Sequence, residues 1–84
     1  MPTFTAIGAI VGSDWATAAA VEETRSALAA AGAVEPVLAP GDYLVDVRFD
    51  FDAEDETDAQ DVAHRVMTQA ATRFGWMVTG IVPA

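Results

Sequence analysis

Carboxylates are the reactive groups this chain has in excess. Thirteen Asp and Glu stand against four Arg and no Lys in 84 residues, a net charge of -9, and nine of the thirteen lie between Asp42 and Asp61. The run Asp50-x-Asp52-x-Glu54, with Asp61 at position twelve, has a calcium loop's outline. Position six is Asp55 where the tight turn needs Gly, and position twelve is Asp where a bidentate Glu is needed, so no metal site is expected. On one strand, Asp46 and Asp50 would stand about 13 Å apart, too far to share an ion. The chemistry that remains is electrostatic docking. Asp46, Arg48, Asp50, Asp52, Glu54 and Asp55 are the residues expected to engage a basic partner protein, and an inhibitor imitating nucleic-acid charge is one form this could take. A Lys-free acidic surface can also come from adaptation to salt, and would then say nothing of partners.

The other reactive side chains are isolated. His64 is the one histidine and falls off the apolar stripe of its helix, where a surface or boundary position is the ordinary outcome. Ser13 and Ser26 stand in no nucleophile motif. The glycines form neither G-x-G-x-x-G nor a phosphate loop. With no cysteine, disulfides, thiolate metal sites and thiol nucleophiles are excluded. Ser13, Asp14 and Trp15 open a helix whose free amides could take an anionic small ligand, as in a regulatory sensor domain. No catalytic residue and no cofactor are assigned. A cofactor-free enzyme using His64 or Asp46 is the third reading, after an interaction module and a sensor.

The elements that must position these groups follow from periodicity. Asp42 to Asp52 alternates: Tyr43, Val45, Val47, Phe49 and Phe51 form one face, and Asp42, Leu44, Asp46, Arg48, Asp50 and Asp52 the other. This is a half-buried, central strand. Thr3 to Val11 is apolar on both faces, a strand covered on both sides, with Gly8 marking a bulge or a close backbone approach. A helix is expected from about Asp14 to Ala31, with an inward stripe of Thr17, Ala20, Val21, Thr24, Leu28 and Ala31 and a stop at Gly32. Ala33 to Ala39 reads as an edge strand because of Pro36. Ala39-Pro40-Gly41-Asp42 predicts a type II turn. Thr57-x-x-Gln60 predicts a capping box opening a second helix, with Ala59, Val62, Ala63, Val66, Met67, Ala70 and Phe74 inward, Arg73 in the last turn and Gly75 as its stop. Trp76 to Val82 is the fourth strand.

The order β-α-β-β-α-β predicts an α+β fold: a ferredoxin-like sandwich over residues 1–84, a four-stranded antiparallel sheet with both helices on one face and the first and third strands central. So short a chain buries only about 60–65% of its unfolded surface. A homodimer is expected, through the open sheet face or a sheet edge. The acidity argues against direct nucleic-acid or anionic-membrane binding. No apolar run approaches a span and no basic leader precedes Phe4, so the expected compartment is the cytoplasm.

Overall fold

The computed structural model describes residues 1–11, 18–41, 44–71 and 75–84, residue 18 by its backbone alone. Ser13, Asp14, Trp15, Thr17, Asp42, Tyr43, Arg73 and Phe74 lie outside the described residues, and with them the start of the first helix and the proposed anion site.

The elements run β1 (Thr3–Val11), α1 (Ala18–Ala30), β2 (Val34–Pro40), β3 (Leu44–Asp52), α2 (Glu56–Ala70) and β4 (Gly75–Pro83). The sheet is antiparallel, in the order β2-β3-β1-β4. β1 and β3 are central and β2, with Pro36, lies at an edge, as the alternation and the proline require. The two helices touch each other, α1 packing on β2 and α2 on β3 and β4, so both cover the same face.

Between sheet and helices lies the core. β3 supplies Val45, Val47, Phe49 and Phe51, all at most 2% exposed. Phe51 stacks on Phe4 at 6.1 Å and meets Phe49 at 5.8 Å between ring centroids. From the helices come Val21, Thr24 and Leu28 of α1 and Ala59, Ala63, Val66 and Met67 of α2. Ala20 and Ala31, at the margins of the first stripe, are half-buried. Thr24 keeps its hydroxyl satisfied inside the core by donating to the Ala20 carbonyl at 2.9 Å.

Gly8 is where two backbones meet. The β1–β4 register shifts between Ile7 and Gly8, and a Cβ on Gly8 would stand 2.3 Å from the Met77 carbonyl oxygen. Only glycine allows that approach.

Three local expectations change. The second helix is capped by Asp55, whose carboxylate accepts from the Asp58 N–H at 2.8 Å, while Asp58 accepts from the Glu54 N–H at 2.9 Å. Thr57 lies inside the helix, because Asp55, two residues upstream, already caps the free amides. α2 ends at Ala70, with the N–H of the capping Ala71 reaching the Met67 carbonyl, and Gly75 instead begins β4 opposite Val11. In the hairpin, Pro40 still pairs with Val45 and the Gly41 N–H closes the loop on the Leu44 carbonyl at 2.7 Å. Positive φ occurs among the described residues at Gly32 and Glu35, not at Gly41, where a type II turn would need it, and Asp42, the last residue of that expected turn, lies outside the described residues.

Candidate functional site: the open face of the sheet

The face of the sheet away from the helices is assembled by register. Thr3 stands opposite Asp52, Thr5 opposite Asp50, Ile7 opposite Arg48 and Ala9 opposite Asp46. Val37 and Ala39 of β2 join beside Arg48 and Asp46, and Met77 and Val82 of β4 beside Ala9 and Thr5. Asp46, Arg48, Asp50 and Asp52 therefore form one charged column. Strand spacing puts it about 5 Å from β1 and about 10 Å from β4.

Apolar side chains flank that column. Ile7, Val11, Val34, Val37, Met77 and Val82 are all exposed, between 41% and 59%, and the pairing sets all six on this face. Exposed apolar groups scattered singly mean little, whereas gathered on one uncovered face they mark a contact surface.

The carboxylates are held in place. Asp50 accepts from the Thr5 hydroxyl at 2.6 Å, and Asp52 from the Thr3 hydroxyl at 2.9 Å. Each keeps lone pairs for an outside donor, since an ionised carboxylate accepts at both oxygens. Arg48 forms no ion pair among the described residues, although acids flank it on its own strand. A hollow of about 360 Å³ opens beside it, lined by Thr5, Glu35, Val37, Arg48 and Asp50.

Of the acidic residues singled out in the sequence, Asp46, Asp50 and Asp52 share this face with Arg48. Glu54 and Asp55 do not join them. They sit in the β3–α2 connector, where the Asp55 carboxylate and the Glu54 N–H are committed to the cap. Among the described residues no three His, Cys, Asp or Glu come together as a ligand set for a metal ion, and no helix is long and apolar enough to cross a membrane.

Comparison with known protein families, curated proteins and solved structures finds no match to this chain.

His64 is exposed on α2, edge-on to Trp76 of β4 at 5.4 Å and 80°. Beside it a shallow groove of about 240 Å³ runs between α2 and β4, lined by Gln60, His64, Val78, Thr79, Gly80 and Ile81. Among the described residues, no carboxylate or serine hydroxyl lines this groove to serve as His64's acid–base partner or nucleophile. Sequence reasoning missed the apolar members on β2 and β4 and the two threonines that hold Asp50 and Asp52. Their signal is the strand register, which no single segment contains.

Proposed function

We propose that this chain is a non-catalytic interaction module of the ferredoxin-like type, a homodimer whose open sheet face docks a basic segment of a partner protein. Support for the fold reading comes from the strand order β2-β3-β1-β4, the antiparallel pairing and the helices packed on one side. One observation carries the docking reading: six exposed apolar side chains flank the column Asp46, Arg48, Asp50 and Asp52 on a face that no described residue covers. Apolar groups supply area and the carboxylates supply register and sign, so the occupant that fits is amphipathic, apolar along its centre and basic at its flank. Glu54 and Asp55 belong to the helix cap and stand outside this surface.

The test is a nuclear magnetic resonance titration with a synthetic amphipathic peptide carrying alternating Lys and Val. Shifts are expected at Asp46, Asp50, Asp52, Ile7 and Val11, with affinity falling steeply as salt rises, because opposite charges at a rim are screened. Replacing Asp46, Asp50 and Asp52 by Asn should weaken binding by about tenfold or more, at about 0.5–1 kcal/mol per exposed charge. Salt-insensitive binding, or equal binding of an acidic peptide of the same apolar pattern, would overturn the reading.

A further inference from the structure

The two margins of the sheet are built differently. β2 is seven residues long, contains Glu35 and Pro36, and breaks register between Val34 and Val37. Glu35 adopts φ 49, a conformation that costs a side-chain-bearing residue free energy. Charge, proline and bulge are the devices by which an edge refuses another strand. β4 shares the bulge, with Thr79 left over between Val78 and Gly80 where its register against β1 shifts, but it carries neither charge nor an internal proline. It is nine residues, Gly-Trp-Met-Val-Thr-Gly-Ile-Val-Pro, with no ionisable side chain and its proline only at the last position.

β4 is also incompletely covered on both sides. Trp76, Val78 and Ile81 face the helix layer yet stay half-buried, where the matching side chains of β3 are at most 2% exposed. On the open face Met77 is 52% and Val82 46% exposed. The groove between α2 and β4 runs along the same margin.

We propose that this margin is covered by a second copy of the chain, β4 pairing antiparallel to β4 about a two-fold axis to give one eight-stranded sheet. Charge selects the occupant. Two chains of net charge -9 repel, and of the two margins only β4 brings no acid against its counterpart. A basic partner finds no carboxylate on this strand. A two-fold antiparallel contact is self-complementary, so each uncharged residue meets another uncharged residue, and the outward N–H and C=O groups of both strands are satisfied together. Stacking two open faces would instead bring two columns of Asp46, Asp50 and Asp52 to about 10 Å, the distance between packed sheets. Edge pairing leaves both open faces free. The inference rests on the homodimer part of the proposed function and is independent of the basic partner.

Sedimentation of the purified chain alone tests it. A two-chain mass is expected, with association strengthened by salt because like charges are screened. The cysteine-free chain permits clean crosslinking. Among single substitutions, Met77→Cys, Thr79→Cys and Gly80→Cys on β4 are expected to include one giving an oxidised covalent dimer, and Val37→Cys on β2 and Asp46→Cys on β3 to give none. Gly80→Glu is expected to fold, since a Cβ at Gly80 meets no atom within 4 Å. It should weaken dimerisation about tenfold or more, whereas Ala39→Glu on β2 leaves it unchanged. A monomeric mass into the millimolar range, crosslinking from β2 or β3 instead of β4, or an unchanged Gly80→Glu dimer would overturn the proposal. Failure of the basic-peptide titration would leave these results standing.

Discussion

Thr5 donates its hydroxyl hydrogen to Asp50 straight across the β1–β3 pair, at 2.6 Å, on the side of the sheet that the helices leave uncovered. Thr5 is 4% exposed although its face is open, and stands between Asp50 of β3 and Val82 of β4. The pair couples a buried hydroxyl to a half-buried carboxylate, so the docking surface and the stability of the sheet share one interaction.

Thr5→Val keeps the shape and removes the donor. Asp50 then loses its partner, and the expected loss is about 1–2 kcal/mol in chemical denaturation. Thr3→Val, whose bond to Asp52 is exposed, should lose less than about 1 kcal/mol. Equal effects at the two positions would show that burial does not set the strength of these bonds.

Gly8 and Gly80 lie on neighbouring strands and should respond in opposite ways. Gly8→Ala drives a methyl group onto the Met77 carbonyl, which belongs to backbone and cannot swing aside. A loss of about 2–3 kcal/mol and a clear drop in Tm are expected. Gly80→Ala meets open space, and the smaller entropy of its unfolded chain should leave stability unchanged or raised by up to about 1 kcal/mol. A Gly8→Ala protein with unchanged Tm would mean that β1 and β4 do not approach so closely.

The cap of α2 gives a third contrast. Asp55→Ala removes the acceptor of the Asp58 N–H and should cost about 1 kcal/mol. Thr57→Ala alters an exposed side chain within the first turn, away from the capping bonds, and should stay within about 0.5 kcal/mol. Urea melts of the two variants decide which residue opens the helix.

These contrasts mark how far the sequence reached. The alternation of Val45, Val47, Phe49 and Phe51 with Asp46, Arg48, Asp50 and Asp52 was legible because side chains on a strand change sides every residue, whatever surrounds them. The stripe Ala59, Val62, Ala63, Val66, Met67 and Ala70 was legible for the same kind of reason, at helical spacing, with Val62 and Ala70 at its half-buried margins. Pro36 announced an edge because it lacks an N–H. The cap was misplaced by two residues, because Asp55 and Thr57 carry signals of similar strength and packing chose between them.

What the amino-acid order determined by itself is therefore periodic and local: which residues of each segment share a side, where an amide is missing, and how much negative charge the chain bears. That Thr5 holds Asp50, that Gly8 meets Met77, and that Ile7, Val37 and Met77 lie on one uncovered face was decided only when strands distant in the chain came into register. Those relations depend on the offset between two strands, and a shift of one residue would send every side chain to the opposite face.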